Sequence, residues 1–503
     1  MNYRMIFRLC SFSLLAEAIF MLIPLIFSFF IEENIFPFLL SVLVLTTLSL
    51  PVLLLIKPHS KALYSRDGWF CAGIIWVFMS LGGSLPYFLG GLSPSFVDCF
   101  FETVSGFTTT GASIITDYDA VPLGIMMWRS LTNWLGGMGV LVLLLAIVPV
   151  SEVDMRSQFL LRAEAPGPSA SKLVPKMAQT AKILYLLYIA MTAMTAVSLI
   201  LAKMPVYEAV LHSWSIAGTG GFSPKSTSAA QYASTQINVI CMISMFLFSI
   251  NFMVLFHLCI RQFKTVLKDT EFLFHIAILI TSSAAVCINI RSIYPTLGQA
   301  VEHGIFQVVS SVTSTGLVSS DFSSWPSFSK FVILALMTIG GCAGSTACGI
   351  KVVRLVILLK AVKREISRLI HPRMVRPVKI NGRVVDDAKV SSAFLFFVMY
   401  FFIIAAIAFF ISLEGHDSVT SVSAAFSTVN NVGLGFGTIG FSGNFNQFSN
   451  FGKLVMSIGM LFGRLEIFPI LIMLAPTTLK LHVQEVLFVV KRLFRNLSKK
   501  KSC

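Results

Sequence analysis

Phe101-Glu102-Thr103-Val104-Ser105-Gly106-Phe107-Thr108-Thr109-Thr110-Gly111-Ala112-Ser113 is the stretch on which the architecture turns. It joins the end of a short apolar run, residues 96–107, to a small, polar loop carrying one glycine. At 1.5 Å of rise per residue such a run reaches only about 18 Å, well short of the ~30 Å hydrocarbon core of a bilayer. The same order of parts recurs along the chain. Half-length runs at 207–216, 297–312 and 419–429 are followed by glycine loops at 217–222, 313–317 and 430–435. Each unit stands between longer apolar segments, so the chain reads as four repeats.

The composition puts those repeats in lipid. Of 503 residues 56% are hydrophobic and 12% charged, and the mean hydropathy is +0.83. Soluble chains carry about 25% charged residues, so this one lacks the polar surface to face water. The net charge of +15 would suggest nucleic acid in a soluble protein. Here the cations sit in short clusters between apolar runs, which points to membrane topology and excludes nucleic acid as a partner. The nine cysteines lie singly with no CxxC pair, and are read as small core residues rather than a disulfide frame or metal site.

Apolar runs of spanning length lie at 9–31, 35–56, 69–88, 125–150, 183–201, 237–259, 272–290, 331–359 with an interruption, 393–413 and 454–474. The first follows Arg4 and Arg8 but is too long for a signal peptide and lacks a cleavage site. Lys57, Lys61, Arg66, Arg156, Arg162, Lys172, Lys176, Arg261, Lys264, Lys268 and the basic segment 360–389 then fall on one side, which is taken as cytoplasmic together with both termini. Segment 360–389, with His371-Pro372-Arg373 and Asn381-Gly382, reads as turns around a short ordered piece. It is either a docking surface or a solvated basic linker near anionic lipid. Residues 479–503 alternate apolar and basic residues and are expected to lie on the membrane surface as an interfacial helix. The expected fold class is an all-α polytopic membrane protein. Two N-terminal helices occupy 1–66 and pore repeats occupy 67–160, 161–268, 269–370 and 371–478, the third with a broken second helix and a gating loop; the basic tail is 479–503.

Irregular backbone at membrane depth is tolerated only where it is buried in protein or lines a wet cavity. One glycine loop would be read as a turn between helices, but four in the same register imply a central pathway. Glycine presents carbonyls from conformations closed to other residues, and a ring of carbonyls can replace the water shell of a cation. Helix C-termini aimed at the axis add negative potential.

These loops, with Trp134-Leu135-Gly136-Gly137-Met138-Gly139, Gly340-Gly341-Cys342-Ala343-Gly344-Ser345-Thr346 and Gly463-Arg464-Leu465-Glu466-Ile467-Phe468, resemble the Trk/Ktr/HKT superfamily of cation transporters, and within it the bacterial Trk-type potassium-uptake membrane subunits (TrkH/TrkG type). The resemblance covers nearly the whole chain. It implies four re-entrant M1-P-M2 repeats around one pore, a homodimer, a place in the bacterial inner membrane, and a cytosolic regulatory partner that binds a nucleotide of the NAD or ATP type. It assigns potassium binding to Thr109, Thr110 and Gly111; Gly218, Thr219 and Gly220; Ser314, Thr315 and Gly316; and Asn431, Val432 and Gly433. Potassium is then the transported ion, with no organic cofactor in this chain. A serine at the first glycine accompanies sodium permeation in plant relatives, and Gly111 keeps the glycine. The chain departs from the family pattern at Leu434, where proline is usual, and at Ala347 and Cys348, where glycines are.

Run 331–359 is interrupted by Gly340, Gly341, Gly344, Ser345, Thr346 and Gly349, too many weak helix formers for a continuous helix. The resemblance makes this stretch a gate beneath the loops; close packing through small residues is the other reading. Arg464 lies in an apolar run, where a lipid-facing cation costs about 2.5–3.5 kcal/mol or more. It is expected to face the pore as an electrostatic barrier, as its family counterpart does, or to bridge to another repeat. Glu466 lies too close in sequence to pair with it on one helix face. Glu102 is expected to anchor the first half-length helix. A proton- or sodium-coupled symporter would need titratable groups converging at mid-membrane, and the glycine loops have none. A less selective potassium and sodium channel remains the other transport reading. An enzyme would need paired carboxylates, a metal cluster or an activated nucleophile, and no such set is present in the sequence.

Overall fold

The computed structural model describes residues 2–56, 65–139, 177–373, 376–441 and 443–474. The tail at 479–503 and the 160/161 repeat boundary lie outside the described residues, as do Lys57, Lys61, Arg156, Arg162, Lys172 and Lys176. Among the described residues six helices are long and apolar enough to cross a membrane, or seven if one bent pair counts as a single span. They include the N-terminal pair Tyr3–Phe30 and Phe36–Leu55, which pack against each other. A largely helical fold is what an apolar solvent selects, because each backbone amide is satisfied within its own segment.

The four half-length helices are Phe96–Phe107, Val206–Gly218, Leu297–Val312 and Ser418–Val429. Thr296 and Asp417 cap the third and fourth by accepting from the amides of Gln299 (3.3 Å) and Thr420 (3.2 Å). Each of the four is followed by a loop and then by a helix that starts again: Leu123–Gly137, Thr235–Ser249, Ser327–Ile339 and Asn450–Arg464. The first of these has Pro122 at its N-cap and no side-chain cap of its own. Glu33, from the connection between the N-terminal helices, accepts from the amides of Leu123 (2.9 Å) and Gly124 (3.0 Å) in its place. The N-terminal pair is thereby tied to the first repeat by both apolar packing and a borrowed cap.

Sequence reading made runs 237–259 and 454–474 continuous spans and allowed a break only in 331–359. The structure breaks all three. The helix ending at Ser249 turns by 105° before Phe252–Cys259, with Asn251 capping the new start through Met253 N (2.8 Å). The helix ending at Arg464 is interrupted by Glu466 and Ile467 at φ 54° and 66° before Phe468–Leu474 resumes. In run 125–150 the helix stops at Gly137 and the residues beyond Gly139 are outside the described set. The reason for the missed breaks is that apolar content sets a span's length but not its straightness; a polar Ser-Ile-Asn or Arg-Leu-Glu step supplies its own turn.

Among the described residues one short hairpin is added to the helices. Lys379–Ile380 and Arg383–Val384 pair antiparallel, Lys379 opposite Val384 and Ile380 opposite Arg383. Asn381 and Gly382 form the turn with φ 49° and 77°, the left-handed pair that a two-residue hairpin loop requires.

Candidate functional site

The four half-length helices end in the same way. The amides of Thr110, Gly220, Thr315 and Val432 donate back to the carbonyls of Ser105, Ser215, Ser310 and Ser427 at 2.8–3.0 Å. The residue before each is left-handed: Thr109 (φ 55°), Thr219 (54°), Ser314 (53°) and Asn431 (51°). The residue after each is a left-handed glycine: Gly111 (81°), Gly221 (70°), Gly316 (80°) and Gly433 (75°). Left-handed backbone at a β-branched threonine is strained, and such strain persists only where the surroundings impose it.

The surroundings are the other loops. A Cβ on Gly111 would overlap the carbonyl oxygen of Gly220; on Gly221, that of Thr315; on Gly316, that of Val432; and on Gly433, that of Thr110. Loop one presses on two, two on three, three on four and four on one. The contacts close a ring in which only glycine fits at the contact position. Side chains cross-link it as well: Asn431 Nδ2 donates to Thr110 Oγ1 (2.9 Å) and to the Met460 carbonyl (2.9 Å).

This register corrects the second loop. The residues in the places of Thr109, Thr110 and Gly111 are Thr219, Gly220 and Gly221, one step later than Gly218, Thr219 and Gly220. With glycine at 218, 220 and 221, glycine alone could not fix the register. The serine six residues ahead of each ring glycine does so: Ser105, Ser215, Ser310 and Ser427. Gly218 instead ends the half-length helix, where a Cβ would overlap the Asn133 carbonyl.

Behind the first two loops lies a buried ion pair. Glu102 accepts from Arg129 Nε (2.6 Å), Ser113 Oγ (3.0 Å) and Ile114 N (2.9 Å). Arg129 also donates to the Ser223 carbonyl (2.9 Å) and stacks 3.5 Å from the Phe222 ring. Both side chains are almost fully buried, so the pair ties loop one to loop two away from water. Glu102 thus anchors its surroundings as expected, through the stretch after its own loop. Sequence reading missed Arg129; an arginine inside an apolar run was the available signal, since it demands a buried acid. A second tie joins helices Phe96–Phe107 and Asn450–Arg464, where Lys453 Nζ meets Asp98 Oδ1 at 2.7 Å.

The interrupted stretch runs from Gly340 to Lys351, between helices Ser327–Ile339 and Val352–Ile370. Gly340, Gly344 and Gly349 have φ of 73°, 73° and 91°, so the break is built into the sequence. Gly341, Ser345 and Thr346 complete the expected set; Thr346 Oγ1 donates to the Phe248 carbonyl (3.0 Å) and Ser345 Oγ to that of Cys342 (2.6 Å). The stretch touches the ring directly, for Cys348 N donates to Ser314 Oγ (2.8 Å). Arg464 makes the other connection. Its guanidinium donates to the carbonyls of Thr346 (2.9 Å), Gly137 (2.7 Å) and Gly136, and to Thr109 Oγ1 (3.4 Å), with Cys348 Sγ at 3.2 Å. It therefore sits against the ring, the interrupted stretch and the end of the first repeat's helix at once. Glu466 pairs with Arg354 instead.

Comparison with known proteins shows the family of the chain. Residues 32–479 match the TrkH family, described as cation transport protein. The chain belongs to the TrkH family of cation transport proteins. Members of this family are membrane transport proteins and not enzymes, and the chain is accordingly an integral membrane protein. A TrkH relative from Halomonas elongata, named a Trk system potassium uptake protein, is 35% identical over 95% of this chain and 99% of its own length. The Trk system potassium uptake protein TrkG of Escherichia coli is 30% identical over 94% of this chain and 98% of its own. The crystal structure of the potassium transporter TrkH from Vibrio parahaemolyticus superposes with a TM-score of 0.86 at 31% identity, covering 95% of this chain and all of that one.

Proposed function

We infer that this chain takes up potassium by conduction through the ring of glycine loops. The observation that carries the reading is the closed set of contacts among Gly111, Gly221, Gly316 and Gly433 and the carbonyls of the neighbouring loops. Rigid backbone oxygens held at a fixed mutual distance can stand in for the hydration shell of one size of monovalent cation. The relatives named as potassium uptake proteins favour potassium as that cation. The carbonyls of Thr109, Thr110 and Gly111, of Thr219, Gly220 and Gly221, of Ser314, Thr315 and Gly316, and of Asn431, Val432 and Gly433 are the proposed ligands, and no organic cofactor takes part.

Gly340 to Lys351 is the proposed gate, because it lies against Ser314 and is held there through Arg464 and Thr346. The Arg464 cation at that point also opposes cation dwell, so its bridging and its barrier role are one arrangement. The chain works in the bacterial inner membrane with both termini cytoplasmic, as a homodimer under a cytosolic nucleotide-binding regulatory subunit. Flux of potassium, rubidium, sodium and lithium into proteoliposomes, with and without a pH gradient, tests the reading. Potassium and rubidium should pass and sodium and lithium should lag; equal passage of all four, or strict dependence on protons, would overturn it.

A further inference from the structure

Glu271 is a buried carboxylate that the conduction reading does not use. It stands in the first turn of helix Thr270–Ile290 and reaches across to the interrupted stretch. Its Oε1 accepts from Ala343 N (2.6 Å) and from Val353 N (3.2 Å). The first amide lies within the stretch and the second just past its end, so one oxygen fastens the stretch to the start of the helix that follows it. Val353 lies in the first turn of helix Val352–Ile370, whose N-cap, Lys351, makes no side-chain cap bond; the carboxylate supplies that cap from another helix and complements the helix dipole. One turn along from Glu271, His275 Nε2 bonds Ser249 Oγ (3.0 Å), and the Ser249 carbonyl accepts from Cys342 N (3.0 Å). The same helix thus holds the stretch directly at Ala343 and, through Ser249, at Cys342.

The base of that helix is in turn held by the cytoplasmic hairpin. Asn381, at the hairpin tip, donates from Nδ2 to Asp269 Oδ2 (2.8 Å) and accepts at Oδ1 from Thr270 N (2.7 Å). Asp269 is the N-cap of the helix, accepting from Phe272 N (2.9 Å). Glu271 therefore follows directly on the two residues the hairpin grips. Lys360, from helix Val352–Ile370, donates to the Lys379 carbonyl (2.8 Å) and ties the hairpin back to the helix below the interrupted stretch.

We propose that Glu271 is the positioning residue that clamps the gate shut, and that the hairpin tip at Asn381 sets its position. The proposal rests on the reading of residues 340–351 as the gate. A cytosolic partner that displaced the hairpin would move Asp269 and Thr270, and with them the carboxylate on which both amides hang. A buried acceptor shared by two amides cannot be lost without leaving both unsatisfied, so its removal should favour release.

The test uses the full chain in proteoliposomes with no partner present, reading rubidium influx and amide hydrogen exchange over 340–353. Glu271→Ala should raise both exchange and influx about tenfold or more, the scale of losing hydrogen bonds to a charged acceptor. Glu271→Gln, which keeps an acceptor oxygen, should restore part of the protection. Asn381→Ala should raise both readouts by less, and Glu271→Ala with Asn381→Ala should go no further than Glu271→Ala alone. Exchange and influx both unchanged in a monodisperse Glu271→Ala protein would overturn the proposal, as would full additivity of the two substitutions. If Glu271→Ala does not fold, Glu271→Gln carries the same comparison. Raised exchange with unaltered influx would leave the clamp standing and remove the gate reading itself.

Discussion

Gly221→Ala, set beside Gly220→Ala, tests the register of the ring. At Gly221 the backbone has φ 70°, and the added methyl would overlap the Thr315 carbonyl oxygen, with the Gly316 carbonyl carbon 3.1 Å away. Left-handed backbone costs an alanine about 1–2 kcal/mol, and overpacking against fixed backbone adds about 1–3 kcal/mol. To reach ordinary contact the Thr315 carbonyl must retreat by roughly 1 Å, which spoils a fit that depends on oxygen positions. At Gly220 the φ is not left-handed, and the methyl would meet the Asn133 side chain rather than backbone. Only the overpacking cost of about 1–3 kcal/mol applies there. Rubidium influx and sodium competition in proteoliposomes, alongside thermal unfolding in detergent, separate the two. Gly221→Ala should lose about tenfold or more in influx or admit sodium, and Gly220→Ala should be the milder of the pair. Gly220→Ala being the more damaging, with both proteins folded, would refute the ring register and restore Gly218, Thr219 and Gly220 as the equivalent set.

Arg464→Gln removes a cation and the hydrogen bonds that hold Thr346 to the end of the first repeat's helix; influx without a partner should rise several-fold, and unchanged influx in a folded protein would contradict both of its proposed roles. Arg129→Met strands the buried Glu102 carboxylate and should destabilise the fold by about 3–5 kcal/mol, whereas Glu102→Leu with Arg129→Met should recover part of that loss in thermal unfolding. Asp98→Leu should behave like Arg129→Met, because it removes the acceptor that faces the buried Lys453; a loss below about 1 kcal/mol would show that water reaches the pair.

The half-length helices were legible because length against bilayer thickness is a count, and the observed Phe96–Phe107 and Leu297–Val312 match that count. The break at Gly340 was legible for the same kind of reason, since glycine at that density cannot sustain a helix. What could not be read was pairing across the fold. Glu271 and Ala343 are far apart in sequence, and nothing local in Asp269-Thr270-Glu271 says that its carboxylate serves another helix rather than its own first turn. Arg129 announced a need for a partner but not which acid would meet it. The bend at Ile250 was hidden because an apolar count is indifferent to a Ser-Ile-Asn step. In the second loop the register was present in the sequence, in Ser215, and was masked by the surplus of glycine around it.

Rubidium or thallium bound to the protein and located by anomalous scattering tests the central claim most directly. Peaks are expected on a common axis, each equidistant from the carbonyl oxygens of Thr110, Gly220, Thr315 and Val432 or from those of the residues beside them. Heavy-cation peaks that lie away from all four loops, with none on that axis, would contradict it.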